Sequence, residues 1–99
     1  MREFLLESYV PRTGADLVDA GLQRARVAAE AVRREGRRVE LLRTIFVPED
    51  ETCFYVYRAD SSNDVREAAG RAGLPTANIV EAVTRPAGSP GKPRRRLVR

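Results

Sequence analysis

The stretch RVELLRTIFVPEDETCFYVYRA, residues 38–59, decides how the rest of the chain folds. Two runs rich in β-branched and aromatic residues, Arg38 to Val47 and Thr52 to Ala59, flank Pro48, Glu49, Asp50 and Glu51. Residues of the first kind suit a pleated, half-buried surface, and a short cluster holding Pro and Asp suits a turn. The spacing predicts a β-hairpin in the middle of the chain. On the N-terminal side, Gly36 offers a left-handed stop, and Thr13 followed by Asp16 resembles a capping box with Asp in place of Glu. A long helix is expected between them. Val18, Leu22, Ala25, Ala29 and Val32 recur at intervals of three and four and form its packing stripe, while Arg24, Arg26, Glu30 and Arg34 fall elsewhere. That stripe is alanine-rich, so the surface it packs on must supply the bulk. Before the helix, Arg2 to Val10 reads as a strand closed by Pro11. After the hairpin, Ser61 or Ser62 caps a shorter helix carrying Val65, Ala68, Ala69 and Ala72, which ends at Gly73. Asn78 to Arg85 reads as the last strand. The order βαββαβ describes one α+β domain over residues 1–85.

From Pro86 onward the composition turns to Pro, Gly, Ser, Lys and Arg, and residues 86–99 are expected to be a basic, disordered tail. The net charge of +4 belongs to that tail: without Lys92, Arg94, Arg95, Arg96 and Arg99, 13 basic residues stand against 14 acidic. The body is near neutral, so nucleic acid is expected to bind, if at all, non-specifically through the tail. Sheet-face RNA stacking finds no support, because the third strand lacks the glycine and basic residue of the ribonucleoprotein motif and Glu7 would repel phosphates. A single cysteine, Cys53, cannot form an intramolecular disulfide. With no apolar run of membrane-spanning length, a cytoplasmic location without membrane partners is the expectation.

Period two sorts the strand side chains between two faces. Phe4, Leu6, Leu42, Phe46, Phe54 and Val56 are assigned to the helix side. Leu5, Glu7, Tyr9, Leu41, Arg43, Ile45, Cys53, Tyr55 and Tyr57 are assigned to the other side. Left wet, the second set would reach or exceed the largest apolar patch a monomer usually exposes, roughly 300 to 600 Å². A two-fold homodimer that stacks the two sheets is the simplest cover. Glu7 and Arg43 would then lie in or beside the interface, where a charge is costly without an opposite charge adjacent, so they are candidates for pairing.

Several stretches together resemble a largely uncharacterised bacterial family of ferredoxin-like proteins. They are Phe4-Leu5-Leu6-Glu7, the run Arg43 to Asp50, Val65-Arg66-Glu67-Ala68, Ala72-Gly73-Leu74-Pro75 and Ile79-Val80-Glu81. The resemblance covers about residues 2–85. It implies a ferredoxin-like βαββαβ fold, with a four-stranded antiparallel sheet, two helices on one face, and assembly as a dimeric α+β barrel. At least one member of that family is described as nickel-binding, which makes nickel the cofactor the resemblance brings. Where the family often carries His, this chain has Ala68, and where the family has Cys near Tyr55, this chain has Cys53 two residues earlier.

Three readings of the site follow. The leading one is a homodimer that binds a small ligand, aromatic or polyketide-like, in the cavity between the sheets. Glu7, Tyr9, Leu41, Arg43, Ile45, Tyr55, Tyr57 and Glu81 are its candidate ligand-binding residues. The second is a cofactor-free isomerase, cyclase or oxygenase in which Glu7 acts as base and Arg43 or a tyrosine stabilises an oxyanion, since a chain without histidine must use such groups. The third is a nickel or other transition-metal site built on Cys53, the only thiolate or imidazole ligand available; its alternative is a small buried apolar residue.

Overall fold

The computed structural model describes residues 1–88, so most of the expected tail, residues 89–99, lies outside the described residues. The elements follow the expected order: β1 (Arg2–Tyr9), α1 (Ala15–Arg34), β2 (Val39–Val47), β3 (Thr52–Ala59), α2 (Ser62–Arg71) and β4 (Ile79–Ala82). They build one sheet in the order β2-β3-β1-β4, every neighbouring pair antiparallel. This is the ferredoxin-like α+β arrangement, with both helices on one face. α1 packs against β2 and α2, and α2 reaches β3 and β4.

The hairpin closes as the Pro and acidic cluster predicts. Pro48–Asp50 form one 3-10 turn, and Glu51 takes a left-handed conformation at φ 49°. The start of α1 differs from expectation. Gly14 occupies the capping position, with no side-chain cap, and its N–H donates to Pro11 O at 2.8 Å. The chain thus turns at Pro11 into the helix before Thr13 can cap it. The stop is at Gly36, whose φ of 98° is open to glycine without strain. Ser61 caps α2, its hydroxyl accepting from the Asp64 N–H at 3.3 Å.

The stripe of α1 is Val18, Gly21, Ala25, Ala28, Ala29 and Val32, with Leu22 only half-buried. Its small side chains bring the helix close to the sheet, and Phe4, Leu6, Tyr55 and Tyr57 fill the space from below. Gly21 is where the approach is tightest. A Cβ there would overlap the Tyr55 hydroxyl, the end of a rigid ring that is 2% exposed and has no room to swing away.

Two corrections to the strand faces follow from register. In the hairpin Val47 pairs with Thr52 and Phe46 with Cys53, so Cys53, Tyr55, Tyr57 and Ala59 share the helix side with Phe46, while Phe54 and Val56 face away. Between Leu41 and Arg43 the ladder skips a residue, leaving Leu42 as a bulge. One extra residue reverses the alternation beyond it. Val39 and Leu41 therefore join the helix side before the bulge, Thr44 and Phe46 after it, and Arg43, Ile45 and Val47 turn outward.

Gly21→Ala tests the closest contact. Alanine is favoured over glycine in a helix by about 1 kcal/mol, but the overlap with Tyr55 should outweigh this and leave a net loss of about 1–3 kcal/mol in urea denaturation. Adding Tyr55→Phe removes the overlapping oxygen and should recover most of that loss.

Candidate functional site

The open face consists of four cross-strand rows. At one end Glu40, Arg58 and Glu3 lie side by side, and Arg58 Nη2 donates to Glu40 Oε1 at 2.8 Å. The next row is Arg43, Val56, Leu5 and Val80. After it come Ile45, Phe54 and Glu7, and then Val47, Thr52 and Tyr9. The middle of the face is apolar, bounded by Arg43 on one edge strand and Glu7 on β1. Val56, on the central strand, is 3% exposed although it lies outside the core beneath the helices, because its neighbours on this face screen it. Ile45, Val80 and Tyr9 remain 43%, 59% and 69% exposed.

Of the expected ligand-binding set, the structure brings Glu7, Tyr9, Arg43 and Ile45 to this face. Leu41, Tyr55 and Tyr57 lie beneath the helices for the reasons of register given above. Glu81 lies opposite Phe4, on the helix side at the sheet edge, where Arg2 Nη1 donates to its Oε1 at 3.0 Å. Phe54, Val56, Leu5 and Val80 take up the face in their place. Pairing Val47 with Thr52 across the four turn residues puts Phe54 on the face of Ile45 and Val56 on that of Arg43, a link that alternation within one strand does not carry.

Glu7 and Arg43 stand on opposite sides of β3 and one row apart. Two strand spacings across and two residues along separate their Cα atoms by roughly 12 Å. They do not pair within a protomer, and neither has an ion-pair or hydrogen-bonded side-chain partner among the described residues.

Beneath the helices, Cys53, Tyr55 and Tyr57 form a buried polar column along β3. Burial pushes the Cys53 thiol up from its ordinary 9.0, with the Tyr55 hydroxyl partly opposing it. Burial likewise raises Tyr55 and, more strongly, Tyr57 above the ordinary 10.0. The Tyr57 hydroxyl has no hydrogen-bond partner. A thiol held protonated in a closed layer is a poor nucleophile and a poor metal ligand. Among the described residues, no three His, Cys, Asp or Glu side chains gather as a metal would require. Stacking the sheets of two protomers cannot join two copies of Cys53 either, since each lies on the helix side of its own sheet. This corrects the assignment of Cys53 to the open face, on which a metal site shared between stacked sheets would depend.

Residues 4–82 match the family model described as "SCO4226-like: Nickel responsive protein SCO4226-like". Among solved structures, the crystal structure of SCO4226 from Streptomyces coelicolor A3(2) is similar, with a TM-score of 0.63 at 20% sequence identity. The match covers 85% of this chain and 99% of that one. At that identity the likeness establishes a common fold. No curated protein matches the chain.

The buried column makes two predictions. Tyr57→Phe removes a hydroxyl that burial strips of water without giving it a partner, and should raise stability at pH 7 by about 1 kcal/mol in urea melts. Because folding raises the pKa of Cys53, Tyr55 and Tyr57, the unfolded chain releases these protons first. Stability should be level from neutral pH to about 9 and fall as pH climbs through 9 and 10 towards the folded values, less steeply in Tyr57→Phe. Lysine does little to blur that limb, since Lys92 is the only one in the chain.

Proposed function

This chain belongs to the SCO4226-like family of nickel-responsive proteins, and from that footing we propose that two copies stack their open sheet faces and enclose a cavity that binds a small ligand. The observation that carries the proposal is the make-up of that face. Leu5, Ile45, Phe54, Val56 and Val80 form a continuous apolar centre, flanked by Glu7 and Arg43. The same patch meets itself in a two-fold contact. An axis lying between the sheets and bisecting the line from Glu7 to Arg43 sets Glu7 against Arg43 of the partner subunit, twice, and answers both unpaired charges at once. The offset that prevents pairing within a protomer is what makes the face complementary to its own copy.

The two charged rims and the aromatic surfaces of Phe54 and Tyr9 suit a flat, mainly apolar ligand with a polar end, of the small aromatic or polyketide-like class. The catalytic reading keeps Glu7 and Arg43 but retains only Tyr9 of its three tyrosines, so binding rather than turnover is the function proposed. Nickel, which the family's description names, does not fit the residues of this protomer. The chain has no histidine and its one thiol is sealed beneath the helices. Carboxylates alone suit harder cations such as magnesium or calcium.

Sedimentation equilibrium at micromolar concentration should give a dimer; a stable monomer there refutes the proposal. Arg43→Glu should weaken the dimer tenfold to a hundredfold through like-charge contact with Glu7, and Glu7→Arg added to it should restore association. In crystals of the dimer, an inter-sheet space wholly filled by its own side chains would leave the dimer and remove the ligand. Untagged protein dialysed against nickel should retain far less than one equivalent per chain by elemental analysis. Stoichiometric retention that is lost in Cys53→Ser would overturn the assignment of Cys53 as a packing residue.

A further inference from the structure

Three hollows on the described surface differ in what their arginines already hold. In the groove between α1 and α2, of about 400 Å³, Arg24 Nε donates to Ala72 O at 2.9 Å and Arg71 is engaged by both Glu35 and Glu67. In the hollow beside Gly36, of about 360 Å³, Arg37 pairs with Asp64 at 3.0 Å and Arg38 with Asp60 at 3.6 Å, while Arg33 makes no ion pair among the described residues but shares the hollow with the Glu40 carboxylate. The third hollow, of about 510 Å³, lies at the bulged edge of β2 and is lined by Leu22, Arg26, Leu41, Leu42, Arg43 and Thr44. Neither Arg26 nor Arg43 has an ion-pair or hydrogen-bonded side-chain partner among the described residues.

We propose that this third hollow is a binding site for a small amphipathic carboxylate, its apolar body on the leucines and its carboxylate between Arg26 and Arg43. Leu22, Leu41 and Leu42 are each half-buried, an apolar floor with part of its surface still open. Leu22 and Arg26 stand four residues apart on α1 and so share one helix face. The bulge sets Leu42 beside Arg43 on the edge strand, bringing apolar surface and a cation together where regular alternation would part them. A guanidinium presents its N–H groups in a planar fork that matches a carboxylate, and Thr44 adds a hydroxyl donor. The volume falls within the roughly 300–1,000 Å³ of small-molecule sites. Three leucines beneath two cations fit a monoanion with a hydrocarbon body better than a phosphate, which would leave the floor uncovered.

The site stands apart from the inter-sheet cavity, because Arg26 and Leu22 belong to α1 on the other side of the sheet. Arg43 borders both, and its five N–H donors suffice for a carboxylate on each side.

The test is an NMR titration of the full chain with octanoate, with 1-octanol as the uncharged control. Octanoate should saturate one site per chain and shift the methyl signals of Leu22, Leu41 and Leu42. Octanol should bind about tenfold more weakly, and Arg26→Gln should weaken octanoate by a similar factor, with Arg26→Lys in between. Arg26 is exposed, so these variants should fold and keep the association state of the parent. Absence of saturable binding, equal binding of octanol, or unchanged affinity in Arg26→Gln would each overturn the proposal. Binding lost in Glu7→Gln but kept in Arg26→Gln would place the ligand between the sheets and overturn it as well. A monomeric chain that still binds octanoate through Arg26 would refute the inter-sheet reading and leave this site standing.

Discussion

The register between β2 and β3 is the constraint on which the rest of the structure depends. β3 is central, paired on one side with β2 and on the other with β1, so its alternation sets what both faces of the sheet carry. A shift of one residue would send every β3 side chain to the opposite face. With Phe46 opposite Cys53, the helices receive Cys53, Tyr55, Tyr57 and Ala59, and the outer face receives Phe54, Val56 and Arg58. The bulge at Leu42 then brings Arg43 and Ile45 to the outer face while keeping Val39, Leu41 and Phe46 in contact with the core. One skipped residue thus satisfies two demands, a continuous core at both ends of β2 and a cation on the open side.

The two faces answer different physical problems. Beneath the helices, a stripe of Gly and Ala on α1 leaves space that only large side chains from the sheet can fill, and two of the chain's three tyrosines are used there. Their hydroxyls are buried at some cost: Tyr55 reaches Gly21, and Tyr57 finds no partner. This layer is closed, and burial raises the pKa of its thiol and phenols, so they stay protonated at neutral pH. On the outer face the chemistry is reversed. The centre is apolar and incompletely covered, while Glu7 and Arg43 are held too far apart to neutralise each other. Such a surface is stable when something of complementary pattern lies on it, which is the ground of the proposed pairing with a second copy.

Membership of a nickel-responsive family and the absence of imidazole are compatible once the fold and the site are considered separately. The likeness to SCO4226 at 20% identity reports how the backbone is arranged, and a shared backbone carries different chemistry when its surface residues change. Here the position where a ligating side chain would be sought holds a thiol turned into the core. Arg43, on the open face, and Arg26, on α1 beside the edge of β2, make no ion pair among the described residues, so the charge available at the surface here is cationic.

How much of this was legible in the residues depends on whether the signal was local. The hairpin, Gly36, Ser61 and the spacing of Val18, Ala25, Ala29 and Val32 act within a few positions of themselves. Element order, and with it the α+β class, followed from them directly. Glu7, Tyr9, Arg43 and Ile45 were also read to the correct face, the last two in spite of a bulge that no alternation pattern reveals. Cys53, Tyr55, Tyr57 and Leu41 were not, because a strand of mixed apolar and aromatic residues looks alike from both sides, and only its pairing partner decides which side is inward. That decision is made by contacts between residues distant in sequence: Phe4 against Tyr57, Leu6 against Tyr55, and Gly21 above Tyr55. Sequence by itself determined which segments become strands and helices, since propensity and capping are properties of neighbouring residues. The tertiary structure alone decided which way β3 and the first half of β2 face, because their register is settled by the packing of the whole sheet against α1 and α2.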